Sequence, residues 1–364
     1  MHNSFGNFFR ITSFGESHGK MVGVVIDGCP PGLHIANEEI QHEVDRRRPG
    51  NSELVSDRRE SDHIEILSGI ENKYSTGAPI TIIIKNENFD PIIYEKVKIT
   101  PRPSHADYPA LMRYGKYVDL KGGGRFSGRI TASFVAAGAI AKKILTLLGI
   151  SLAAYIRSIG PWEDNHEYTV AEIRKNGDAL RLMNPEFTDR VKTTILKAKS
   201  EKDSVGGQVT CIVEGIPSGK GDMVFGSIES RISAAMFAIP SIRGIEFGLG
   251  FASTKLNGSQ NNDPYMISEG KIQTKTNNAG GILGGLSTGM PIWFTCAIKP
   301  TPTIGKPQET VNLRSMKQTN LRFEGSHDPC IVPRIIPVIE SLTSVVIVDI
   351  LMGNGDIPQI FNKK

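Results

Sequence analysis

The sequence is poor in cysteine, and its four, Cys29, Cys211, Cys296 and Cys330, lie far apart with no CxxC pair. This argues against a disulfide framework or a cysteine zinc site and makes a reducing cytoplasm the expected compartment. No run of eighteen apolar residues occurs, so no membrane-spanning helix is expected. The first residues, MHNSFGNFFRITSFGESHG, lack the basic start and long apolar core of a secretory leader. An excess of one charge is missing too. The 42 Lys+Arg stand against 38 Asp+Glu, a net charge of +4, which gives no argument for nucleic acid. There is no GxGxxG, no Gly-Lys-Ser/Thr phosphate loop and no HxxxH metal pair; neither a kinase set nor a nucleophile elbow is expected.

Glycine is abundant, with 38 residues, and it clusters. Clustered glycine lets backbone turn tightly or approach a ligand. The first cluster is Gly15-Glu16-Ser17-His18-Gly19. It joins two strand-like runs, Phe8–Thr12 and Met21–Ile26, as in a hairpin. A plain turn requires no histidine, and Ser17 and His18 read equally as polar loop residues or as site residues. Helical patterns cover Asn37–Arg48, Gly128–Leu148, Thr188–Ser200, Ile228–Phe237 and Val332–Met352. Strand patterns cover Pro79–Ile84, Gly207–Glu214, Gly244–Phe251 and Pro291–Ile298. This predicts one α+β domain over residues 1–364 with antiparallel pairing and a loosely ordered tail after about 353.

Basic and glycine-rich segments carry the chemistry. Arg46-Arg47-Arg48-Pro49-Gly50 ends the first helix, and Arg58 and Arg59 follow before Glu60 and Asp62. Arginine forks grip carboxylate and phosphate. The same residues also fit a basic face paired with Glu60 and Asp62. Arg102-Pro103-Ser104-His105-Ala106-Asp107 again places histidine beside serine. Lys121-Gly122-Gly123-Gly124-Arg125-Phe126-Ser127-Gly128-Arg129 opens a long helix, so flexible backbone, a helix start and two arginines coincide at an anion site. Asn277-Asn278-Ala279-Gly280-Gly281-Ile282-Leu283-Gly284-Gly285, Lys299-Pro300-Thr301-Pro302-Thr303 and Gly325-Ser326-His327-Asp328-Pro329-Cys330 complete the set. Together they are the inventory of an enzyme for a phosphorylated, carboxylated small molecule. A flavin reductase and a non-catalytic phosphometabolite binder are the competing readings. The first leaves His18 and the arginines unused, and the second has no need of an acid or a base.

In this order, GESHG, RRRPG, RPSHAD, GGGRFSGR with its AAGAIAKK helix, NNAGGILGG, KPTPT and HDPC resemble the chorismate synthase family, from Phe5 to about Met352. The resemblance implies a homotetramer of α+β subunits, with helices between antiparallel sheets and two interlocked pseudo-repeats. It implies 1,4-elimination of phosphate from 5-enolpyruvylshikimate 3-phosphate, using reduced FMN without net redox change. It implies no nucleic-acid or membrane partner. By resemblance, His18 donates a proton near the leaving phosphate and His105 contacts the flavin ring. Asp328, with Ser17, lies near the flavin N5. Arg48, Arg102, Ser127 and Arg129 match substrate-binding positions. Arg125, Phe126, Ser127, Pro240, Ser241, Gly284, Lys299, Pro300, Thr301, Pro302 and Thr303 match flavin contacts. Arg47 matches a position linked to NADPH in members that reduce their own flavin. Ser326 and Glu53 stand where the family usually has arginine, and Arg322 and Arg334 are the candidates to replace the first of these cations.

Overall fold

The N-terminal hairpin forms as its sequence predicts. Strands Arg10–Gly15 and Met21–Asp27 pair antiparallel, with Thr12 opposite Val25. Alternating Val22, Val24 and Ile26 are fully buried, as a strand with one core face requires. The computed structural model describes residues 2–48, 54, 60–87, 96–176, 180–323 and 328–361.

Two five-stranded antiparallel sheets form the outer layers. The first runs in the spatial order Ser4–Phe5, Arg10–Gly15, Met21–Asp27, Ile80–Lys85, Ile64–Ser68. The second runs Ile242–Phe247, Ile292–Ile298, Gly207–Glu214, Ser151–Ile159, Trp162–Glu163. Helices lie between them. Helix Thr131–Leu147 packs on the first sheet and helix Val332–Gly353 on the second, and the two pack on each other. They approach closely at Gly138, where an added Cβ would lie 2.1 Å from the Ser341 Cβ. The first helix, Asn37–Arg47, rests on both, and one apolar cluster joins both sheets to all three helices.

Both long helices are long and apolar enough to cross a membrane by length and composition, but most of each is buried inside the protein, as in core helices. Two expectations are corrected. The strand expected over Gly244–Phe251 is Ile242–Phe247, because Gly248 and Gly250 take φ of +55° and +46° and end the extended run. The tail after 353 is tied down as far as 361. Ile357 is buried, and the Phe361 N–H donates to the Pro31 carbonyl at 2.9 Å. Strand Ser151–Ile159 and helices Asp107–Tyr114 and Val170–Lys175 were not anticipated.

A buried ion cluster fastens the helical layer. Glu340 of the last helix receives Arg46 at 2.7 Å, Lys142 at 2.9 Å and the Ala154 N–H at 3.0 Å. Burial alone would raise this carboxyl, but Lys142 and Arg46 hold it well below the carboxylate range. A depressed folded pKa gives stability that is present above the unfolded value of about 4.3 and is lost as pH falls. Glu340→Gln is therefore expected to cost about 1–3 kcal/mol at neutral pH and to flatten the loss of stability on acidification. Denaturant midpoints at pH 7 and pH 4 test this. An unchanged acid slope would show that Glu340 does not set it.

Candidate active site

The glycine-rich loop before helix Thr131–Leu147 meets the first hairpin. Gly122, Gly123 and Gly124 all have positive φ, from +52° to +85°. At Gly122 an added Cβ would lie 2.3 Å from the His18 ring, so this position needs glycine for space as well as for conformation. The Ser17 N–H donates to the Gly124 carbonyl at 3.3 Å. Arg125 donates to the Ser13 hydroxyl at 3.2 Å and the Gly15 carbonyl at 3.0 Å. The GESHG turn is thus seated on the glycine loop. Its letters also spell G-x-S-x-G, but it joins two antiparallel strands rather than a strand and a helix, so it is no nucleophile elbow.

Beside this junction opens a cavity of about 650 Å³. Its walls come from residues 102–106, the glycine loop, the 237–243 turn, the segment after strand Ile292–Ile298, and the start of the last helix. Among the described residues seven cations line it, Arg47, Arg102, Arg125, Arg129, Arg243, Lys299 and Arg334, against the carboxylates Glu60 and Asp328. Such a surplus suits an anionic guest.

Most of the cations are held in place by internal partners. Arg129 pairs with Glu60 at 2.9 Å and with Asp62. Arg47 pairs with Asp62 at 3.2 Å and donates to the Gly128 carbonyl at 2.9 Å. Burial would raise the Asp62 carboxyl, but Arg47 and Arg129 hold it below its ordinary value. Burial, reinforced by the Arg334 charge, lowers Arg47. Arg102 forks onto Asp107 with two bonds of 2.8 Å. Lys299 donates to the Ser104 carbonyl at 2.6 Å, and burial followed by the Arg243 charge lowers it. Arg334 pairs with Asp328.

Of the residues expected in a site, Arg47, Arg102, His105, Arg125, Phe126, Ser127, Arg129, Pro240, Ser241, Lys299, Thr301, Pro302, Thr303, Asp328 and Arg334 line this cavity. Ser17 and His18 are buried at its wall, behind Gly122 and Gly124, and are not lining residues. Arg48, Pro300 and Gly284 are not lining residues either. Arg48 turns toward Asp45 and the Ser61 carbonyl because Ile40, Val44 and Arg47 share the buried face of their helix. Gly284 lies in the turn of the small hairpin Ile282–Leu283 and Leu286–Ser287. Ser326 and Glu53 fall outside the described residues. The sequence reading missed Asp107, Arg243 and Phe323. Only Asp107 had a signal, the Arg-x-x-His-x-Asp spacing at a helix start.

Fold and cavity together define an α+β enzyme that takes a small polyanion. The model of the chorismate synthase family matches residues 9–352, and the chain belongs to that family. The chain is 46% identical to a chorismate synthase of Dehalococcoides mccartyi, covering 100% of both chains. It is also 46% identical to one of Korarchaeum cryptofilum, over 96% of this chain and 97% of the relative. A crystal structure of chorismate synthase superposes with a TM-score of 0.76 at 30% identity, covering 96% of this chain and 93% of the other. The chain is accordingly a lyase that acts on a phosphate.

Proposed function

We propose that this chain converts 5-enolpyruvylshikimate 3-phosphate to chorismate and phosphate with reduced FMN bound. The observation that carries this reading is the cation-lined cavity beside His105, together with family membership over almost the whole chain. The C3–O bond to phosphate and a C6–H bond break, phosphate leaving with the C–O electron pair, and the ring C1=C2 double bond is replaced by C2=C3 and C1=C6 double bonds. The donor set fits a flavin. Phe126, Ile239 and Pro240 offer apolar surface for a ring system, and Lys299, Thr301 and Thr303 offer donors to an anion. The chemistry expected of a reduced flavin there is a supply of electron density for departure of an allylic phosphate, with no net redox change.

This chain's own residues would do the rest. Arg102, Arg129 and Arg334 would meet phosphate and carboxylate charge from fixed positions, which lowers the cost of reorganisation. His18, packed against Gly122 of the glycine loop, would give a proton to departing phosphate. Ser17 and Asp328 would assist proton return. Arg47 is almost wholly buried, and its Nε and both terminal nitrogens donate to internal acceptors. That favours a flavin reduced before it binds over an NADPH site at Arg47.

We also read one domain made of two pseudo-repeats. In each sheet a strand is followed by a helix, then an outer strand, then a strand inserted between them, then a long helix. The series Met21–Asp27, Asn37–Arg47, Ile64–Ser68, Ile80–Lys85, Thr131–Leu147 matches Gly207–Glu214, Ile228–Met236, Ile242–Phe247, Ile292–Ile298, Val332–Gly353. Self-association as a homotetramer is supported by exposed apolar side chains such as Phe225, Phe251, Ile267 and Ile272. Cytoplasmic residence is supported by four free, buried cysteines. No nucleic-acid or membrane partner is proposed. The deciding assay is anaerobic, with chemically reduced FMN and the phosphorylated substrate. Chorismate and phosphate are expected in equal amounts, and only with reduced flavin. Failure to form either product at saturating reduced flavin would overturn the assignment.

A further inference from the structure

Asp107 is fully buried and does not line the cavity, yet every hydrogen bond seen on its carboxylate comes from two residues that do. Its Oδ2 accepts the Arg102 backbone N–H at 3.0 Å and Arg102 Nε at 2.8 Å. Its Oδ1 accepts Arg102 Nη2 at 2.8 Å and lies 2.7 Å from His105 Nδ1. We propose that Asp107 is a positioning residue that fixes both the tautomer of His105 and the fork of Arg102.

The argument is one of donors and acceptors. An ionised carboxylate only accepts, and at 2.7 Å it lies closer to His105 Nδ1 than Arg102 Nη2, a donor 3.2 Å away, so the proton of a neutral His105 sits on Nδ1 and Nε2 is left as the acceptor. An added Cβ at Gly123 would lie 3.3 Å from that Nε2, which places it against the glycine loop. Asp107 stays ionised. Burial would raise it, but Arg102 and His105 hold it well below the usual carboxylate range. Beside this group Lys299 donates to the Ser104 carbonyl, and the Thr303 hydroxyl accepts from Arg102 Nη1 at 3.1 Å. Asp107 also begins helix Asp107–Tyr114, where negative charge meets the helix dipole. Each hydrogen bond seen on Asp107 lies within residues 102–107, so the loop carries its own orienting group.

Asp107→Asn tests this because its shape is unchanged and its donor pattern is not. The amide nitrogen must face a donor on either side. The less conflicted arrangement puts it toward His105, which then takes the opposite tautomer. The proposal rests on the elimination reaction proposed above, so two readouts are used. In the native full-length protein, ring ¹⁵N shifts of His105 should report the proton on Nδ1. In Asp107→Asn they should report a shift toward Nε2. With reduced FMN and saturating phosphorylated substrate, kcat should fall on the order of 10²–10⁴-fold. Asp107→Glu, which keeps the acceptor-only charge, should recover part of it. A native His105 with its proton on Nε2 overturns the proposal even if Asp107→Asn fails to fold. So does an Asp107→Asn protein with native kcat. An inactive native enzyme with the proton on Nδ1 would overturn the reaction assignment while leaving the positioning intact.

Discussion

His18→Ala and His105→Ala are each expected to fold and to lose turnover by about 10²–10⁴-fold, the usual cost of removing one general acid or base. Neither ring belongs to the apolar core that joins the two sheets. The two losses have different origins. His105 lines the cavity, with Nδ1 tied to Asp107 and its other nitrogen toward Gly123. His18 lies behind Gly122 and reaches a guest only through the glycine loop. His105→Ala should therefore lower kcat without a matching change in substrate affinity, since Arg102 keeps its Asp107 partner. His18→Ala should lower kcat and also loosen the loop that it supports. Turnover with reduced FMN, substrate binding and circular dichroism separate these outcomes. Near-native turnover in either variant would remove that histidine from the chemistry.

The sequence was most legible where one residue type has one use. The triglycine loop was readable because the structure needs positive φ at all three positions and leaves no room for a side chain at Gly122. The hairpin at GESHG was readable from alternating apolar residues on both sides. The five helices expected from the sequence were legible to within a few residues because their apolar residues repeat at helical spacing. Arg47 and Arg48 were the reverse case. Adjacent arginines are indistinguishable in sequence, and only the face shared with Ile40 and Val44 decides which one turns inward. The ion-pair reading of the basic segment holds in part: Asp62 pairs with Arg47, while Glu60 and Asp62 also take Arg129 from the glycine loop, and both arginines line the cavity. Asp107 was overlooked because an acid at the start of a helix is ordinary until its partners are seen. The two pseudo-repeats proposed above rest on strand order in space, which leaves no sequence period to read.

Arg334→Ala is expected to weaken FMN or substrate binding by about 2–5 kcal/mol, the range for truncating one member of a partly buried charge pair. The reason is how the cavity's cations are spent. Arg47 and Arg129 are held by Asp62 and Glu60, Arg102 by Asp107, and Arg125 by hairpin oxygens. Among the described residues Arg334 has one carboxylate partner, Asp328, which itself lines the cavity, and its Nε donates to the Arg47 carbonyl at 3.3 Å. The guest pair would bring two phosphates and two carboxylates, and by resemblance Ser326, which lies outside the described residues, stands where the family usually has arginine. Arg334, eight residues after Ser326, is thus a cation placed to meet the missing charge. Removing it would also leave Asp328 facing the guest without its partner, which adds repulsion to the lost attraction. Arg334→Lys should recover only part of the loss, because an ammonium keeps the charge but not the paired geometry. If Arg334 does compensate, Ser326→Arg alone should change affinity little, while in the Arg334→Ala background it should restore a charge-assisted bond of about 1.5–3 kcal/mol. Dissociation constants of FMN and substrate for the three single variants and the double variant decide the matter. Tighter binding in Ser326→Arg with near-native binding in Arg334→Ala would show instead that the charge is simply missing and that the site works with one cation fewer.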